Sequence, residues 1–283
     1  MPKHSDTLSF EELRQLTFPP ETHIIGNGLF KKGSKLIVTA APKSYKSFTL
    51  NTMISQLLTG GHLFGAFTNH ARLRQDIFHI SPVNRVLLIE QELGMEDNKE
   101  RLIPYWESLS DEHKAIIDKR LFIHSCDFDL RLDTELGCST IEKVVREKQP
   151  DVVCFDPLIK FHRQNENDPS IMNTIMCNLS KMSQALDFST ILNHHNNKNA
   201  EKQDLDKLRG GSSIAGDLDT CLILDVYNRN SAIIKVETIL RRGKPISPYL
   251  LQLNKDTLRM EFHSWYKGKR EEKTALPESP FVQ

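Results

Sequence analysis

Four clusters in this chain carry side chains that could work on a phosphate. Lys46 and Ser47 follow the loop Ala40-Ala41-Pro42-Lys43-Ser44-Tyr45. Two apolar runs end in acids, RVLLIEQE at 85–92 and DVVCFD at 151–156, and a third delivers His194 and His195. Further on, Arg241-Arg242-Gly243-Lys244-Pro245 makes a basic turn. A Lys beside a turn of backbone N–H groups reaches phosphate oxygens, and the adjoining Ser hydroxyl suits Mg²⁺. A strand-end carboxylate, Asp156, supports the same cation, and a second one, Glu92, can orient or deprotonate a water. A basic turn can stabilise transferred charge from outside, as an arginine finger does.

These roles require particular elements around them. Residues 35–39 read as a short buried strand, and from Lys46 the apolar Leu50, Met53, Ile54, Leu57 and Leu58 recur at helical spacing until Gly60-Gly61. Strand, loop and helix therefore arrive in the order of a phosphate-binding loop, with residues Ala41 to Phe48 cradling the phosphates. The pattern G-x-x-x-x-G-K-[ST] asks for Gly at 40 and 45, where this chain has Ala40 and Tyr45. Gly allows tight backbone there without a Cβ, so a Tyr at 45 must turn its ring away from the nucleotide. Taken alone, Lys46-Ser47 reads equally as an ordinary helix start.

In an open parallel sheet ligands gather beyond the carboxyl ends of the strands, which places Glu92 near the terminal phosphate. Glu90, Glu96 and Asp97 read instead as a solvated acidic turn before the next helix. "Apolar run then Asp" is common by itself. About a hundred residues after a phosphate loop, the 151–156 run has the layout of a Walker B strand. Adjacent histidines on a strand point apart, so His194 and His195 do not share one metal. His195 suits a hydrogen bond to the terminal phosphate, while a hydrogen-bonded core role stays open for both.

Around these pieces, Ser9 and Glu12 form a capping box for a short helix to about Leu16, and Pro19-Pro20 breaks it. The first thirty residues read as an arm, 64–84 as a polar, irregular segment that suits an inserted hairpin, and 97–119 as helical with a bend or break at Pro104. Helices are expected at 141–148 and 170–186. Antiparallel strands are expected at 220–227, 232–240 and 249–253, and a mobile tail after Phe262. This divides the chain into an arm (1–24), one α/β domain (25–262) and a tail (263–283).

The 283 residues carry 37 basic and 37 acidic side chains, which argues against a protein that coats nucleic acid through bulk charge. A local basic cluster would suffice for a ring-shaped binder; Lys198, Lys202, Lys207 and Arg209 lie in one polar loop whose acids offset them. Five cysteines without a C-x-x-C pair fit a reducing compartment. With no apolar run long enough to cross a bilayer, the reading is a cytoplasmic protein.

Taken in order, AAPKSYKS (40–47), VLLIEQE (86–92), VVCFDPLIKFH (152–162), TILNHHNNK (190–198), RGGSSIAGDLD (209–219) and LRRGKP (240–245) resemble the RecA-like ATPases of the RepA type, the small hexameric plasmid replicative helicases. The resemblance implies a RecA-like P-loop core, a mostly parallel twisted sheet flanked by helices with C-terminal antiparallel hairpins. It implies ATP and Mg²⁺ at the interfaces of a homo-oligomer, a hexamer, around single-stranded DNA. On it, Lys46 and Ser47 bind phosphate and Mg²⁺, Glu92 is the base, Asp156 the Walker B acid, His195 the γ-phosphate sensor, and Arg241 or Arg242 acts in trans. A nucleotide-gated assembly module is the alternative, favoured by Tyr45 and the neutral charge. A small-molecule kinase fits less well, for no acceptor-site or lid signature is evident.

Overall fold

The computed structural model describes residues 7–17, 23–66, 78–125, 130–162, 169–195, 217–241 and 245–268. Its regular elements in chain order are α1 (Phe10–Gln15), β1 (His23–Ile25), β2 (Phe30–Lys31), β3 (Lys35–Ala40), α2 (Lys46–Thr59), β4 (Gly61–His62), β5 (His79–Ile80), β6 (Val86–Glu90), α3 (Met95–Glu107), α4 (Asp111–Arg120), β7 (Leu121–Ser125), α5 (Glu135–Lys148), β8 (Val152–Asp156), α6 (Pro169–Leu186), β9 (Ser189–His195), β10 (Thr220–Asn228), β11 (Ile233–Leu240), β12 (Ile246–Leu253) and β13 (Met260–Trp265). Nine strands form one sheet in the order β13-β12-β11-β10-β3-β9-β8-β6-β7. From β10 to β7 all neighbours are parallel, and β11 to β13 extend the sheet as antiparallel hairpins.

The central strands are apolar at nearly every position because both faces are covered, as parallel sheets require. Alternate residues divide between two cores. Leu36, Val38, Val86, Leu88, Val152, Cys154 and Ile191 pack with Leu50, Met53, Leu57 of α2 and Ile117 of α4. Ile37, Leu87, Ile89, Val153, Phe155 and Leu192 pack with Ile141 and Val145 of α5 and Ile175 and Leu179 of α6. This parity fixes which strand-end side chains face α2, and so decides what can meet Lys46.

Several expectations are corrected. Residues 23–30 are not arm, since Ile24, Ile25, Leu29 and Phe30 are buried in the α2-side core. Here β1 and β2 join β4 and β5 in a small four-stranded sheet, while α1, with its Ser9–Glu12 capping box, buries none of its residues. By contrast, the hairpin expected around 64–84 agrees with the antiparallel pairing of β4 with β5, His62 opposite His79 and Gly61 opposite Ile80; residues 67–77 lie outside the described residues. Pro104 sits within α3, and the break comes later, where the Ser110 side chain accepts from the His113 amide to start α4. Helix α5 starts six residues before the expected position, capped by Thr134. The chain also keeps its order past Phe262: β13 pairs with β12, and Phe262 and Trp265 pack edge-on against each other beside Tyr249. Among the described residues no helix is long and apolar enough to cross a membrane.

Candidate active site

The phosphate-loop segment leaves β3 at Ala40 and enters α2 at Lys46. Ala40 is fully buried as an ordinary strand residue, paired with His195 on one side and Leu224 on the other. Tyr45 is different: it caps α2 in the left-handed region, at φ +59°, and Lys43 is also left-handed at φ +60°. A side chain in that region costs roughly 1–2 kcal/mol. The pattern's second glycine thus falls where the backbone does demand glycine-like freedom, and its first does not. Tyr45 and Phe48 pack against the α2-side core, while Ala41, Pro42 and Lys43 are exposed and Ser44 is buried. Ser47 lies half-buried in the first turn of α2.

Lys46 is buried at the mouth of this loop. Its Nζ donates to the carbonyl of His194 at 2.9 Å and lies 3.1 Å from His195 Nδ1, which accepts from an ammonium only as a neutral imidazole protonated at Nε2. The period of two explains the difference between the histidines. His195 shares the face of Ile191 and meets the lysine by its ring, whereas His194 offers only its backbone and is wholly buried.

Asp156 ends β8 in the same neighbourhood, nearly inaccessible, with Oδ1 accepting from Asn193 Nδ2 at 2.5 Å. Burial raises its pKa to about 6, opposed by the charge of Lys46 and the Asn193 hydrogen bond. Lys46 is lowered to about 8 by burial, an effect opposed by the charges of Asp156 and Glu92. Lys46, Asp156 and Glu92 therefore act on one another electrostatically, each reaching this sheet edge from a different element. Glu92 is exposed, two residues beyond the end of β6.

The structure reassigns one acid. Glu90 is buried at 3% exposure, opposite Asp156 in the β6–β8 register, with Oε1 accepting from the amides of Glu92 at 2.6 Å and Leu93 at 3.2 Å. Burial first, then the neighbouring Asp156 charge, raises its pKa to about 7. It is no part of a solvated turn, unlike Glu96 and Asp97, which are exposed in the first turn of α3. Asn193 was also missed. The signal for both lay in strand parity: Glu90 follows Val86 and Leu88, Asp156 follows Val152 and Cys154, and Asn193 follows Ile191, all on the α2 face.

The profile of a family described as AAA domain matches residues 2–201. The chain belongs to the AAA domain family. Two solved structures share the fold of this AAA domain. One, titled as an ATPase domain, is 16% identical, covering 90% of this chain and 96% of that one at a TM-score of 0.61. A second, titled as a DnaB-like replicative helicase and its interactions with primase, is 15% identical, covering 82% of this chain and 58% of that one at a TM-score of 0.56. No curated protein sequence matches the chain. The AAA domain here is thus a P-loop ATPase domain with the RecA-like fold of helicase ATPase domains.

Arg241 stands away from this cluster. Its amide donates to the Asp219 carbonyl at 2.8 Å, and Asp219 in turn accepts from the Lys35 amide at 3.0 Å, so the arginine adjoins the start of β3 rather than its end. Arg242 lies outside the described residues, as do the four basic side chains of the 196–209 loop.

Proposed function

We propose that this AAA domain hydrolyses ATP as a motor of the RepA helicase type, working on single-stranded DNA as an oligomeric ring, a hexamer, in the replication of a plasmid or other mobile element. The observation that carries the hydrolytic part is that Lys46, Asp156 and Glu92 stand at the carboxyl ends of neighbouring strands, near enough for both acids to act on the charge of the lysine. A buried, depressed lysine and a buried, raised carboxylate are both penalised by desolvation, a combination that a bound metal–triphosphate would relieve. The donor set fits such a ligand: amides at the start of α2, an ammonium, a hydroxyl and a carboxylate.

In this reading the segment 41–48 seats the phosphates, Lys46 neutralises the β/γ oxygens, and Ser47 and Asp156 hold Mg²⁺. The cation's contribution is to offset charge on the transferring phosphoryl group. Asn193 holds Asp156 through its 2.5 Å hydrogen bond. Glu92, exposed and therefore reachable by water, orients or deprotonates the nucleophile. His195 touches Lys46, so a change at the terminal phosphate is passed through the lysine to the end of β9 and the loop that follows. Arg241 or Arg242 completes the site of a neighbouring subunit.

The test is steady-state ATP hydrolysis with and without single-stranded DNA, alongside the native mass. The reading expects an oligomer whose hydrolysis rises with DNA and vanishes in Lys46→Ala. A second reading, a nucleotide-gated assembly ATPase without unwinding, draws on the left-handed Tyr45, which strains the loop that must close on phosphate. It expects slow turnover indifferent to DNA and an oligomer that dissolves without nucleotide.

A further inference from the structure

We infer that Glu90 is a positioning residue, whose buried carboxylate holds the turn bearing Glu92 by accepting its two backbone amides. This rests on the reading of Glu92 as the residue that handles the attacking water. The chain leaves β6 at Glu90 and must turn sharply at the sheet edge, so Glu92 and Leu93 sit outside the strand ladder with amides that need acceptors. Glu90 Oε1 supplies both, at 2.6 and 3.2 Å. Bonds of this length depend on where the acceptor oxygen stands. They fix the backbone of Glu92 itself, and a displacement of about 1 Å in such a group can slow turnover by roughly 100-fold.

The rest of the turn is tied down independently. Gln91 donates its amide to the Asp156 carbonyl and its side chain to the Leu130 carbonyl, while Ser125 Oγ and Asn98 Nδ2 donate to the Leu93 carbonyl. None of these touches the Glu92 amide. Glu90 is thus the group that sets where Glu92 stands, and the rest of the cage lets its variants fold. A role through reach also separates from a role through charge. Gln keeps an acceptor oxygen at the same distance; Asp keeps the charge but is one methylene short.

The experiment is ATP hydrolysis by the full chain as wild type, Glu90→Gln, Glu90→Asp, Glu92→Gln and Glu90→Asp/Glu92→Gln, with ATP-analogue binding measured on each and amide exchange followed across 90–94. The expected result is that Glu90→Asp loses about 10- to 100-fold in kcat with KM for ATP within about 2-fold, while Glu90→Gln stays within about 3-fold of wild type. Exchange at 92–93 should quicken in the Asp variant alone, and the double variant should be no slower than Glu92→Gln, because Glu90 acts through Glu92. Glu90→Asp faster than Glu90→Gln, or a double variant slower than Glu92→Gln, overturns the positioning role. Should Glu90→Asp not fold, quickened exchange at 92–93 in Glu90→Gln overturns it, and wild-type protection there supports it. If Glu92→Gln itself hydrolyses at the wild-type rate, the reading of Glu92 falls instead, whatever the Glu90 variants do.

Discussion

At the residue scale, the site concentrates ionisable groups where burial opposes their charge. Two carboxyls, Glu90 and Asp156, face each other across β6 and β8, and both hold their protons more tightly than an exposed acid. An acid whose pKa is raised on folding binds more protons folded than unfolded, so it withdraws stability as pH rises. For Glu90 that loss starts at the ordinary value of 4.5 and is complete above about 7. Glu90→Gln removes it. The nucleotide-free, metal-free variant should therefore gain stability relative to wild type between pH 5 and pH 8 in denaturant titrations, and a difference independent of pH would contradict the assignment. Lys46 and Asp156 were legible from the sequence because their types and order are distinctive. Glu90 was not, because two acids two residues apart in one apolar run would share a face if the strand ran on, and only the turn after β6 decides which is buried and which is exposed.

At the element scale, the long helices and the central strands were legible because apolar periodicity is strong where an element is buried on one or both faces. Strands β1, β2, β4 and β5 have two or three residues each, too few for any period to register. For β13, the register shift between Leu250 and Leu251 of its partner interrupts the alternation a strand would show. The early start of α5 combines its Thr134 cap with a contact the sequence does not advertise. Its Gly137 lies so close to the 131 backbone that a Cβ would stand 1.9 Å from the Arg131 carbonyl oxygen. Arg131 also donates from Nη1 to the His162 carbonyl at 2.7 Å, bracing the segment that follows β8. Gly137→Ala should push these apart and destabilise the fold by about 1–3 kcal/mol, the usual cost of overpacking. A melting temperature equal to that of wild type would show that the contact relaxes freely.

At the scale of the whole molecule, the sheet separates two groups of side chains by its two ends. At or just beyond the carboxyl ends of β3, β9, β8 and β6 lie Lys46, His195, Asn193, Asp156 and Glu92. At the opposite end, Arg241 adjoins Asp219 and the start of β3, roughly five residues at about 3.3 Å each from the phosphate loop. An arginine so placed cannot serve its own subunit's pocket, which fits the reading that it acts in trans. Arg241→Ala subunits and Glu92→Gln subunits should each be inactive alone, and mixing them should restore part of the hydrolysis; no recovery on mixing, with mixed oligomers formed, would exclude Arg241 from that role. The fold class was legible because the motifs fall in the order this sheet demands.

The central claim is that Lys46, Asp156 and Glu92 make one hydrolytic pocket, and the most direct measurement of it separates binding from turnover in Glu92→Gln and Lys46→Ala. Glu92→Gln should hold ATP with Mg²⁺ as wild type does while losing about 100-fold or more in hydrolysis, and Lys46→Ala should lose both. Hydrolysis at the wild-type rate in both variants would contradict the account.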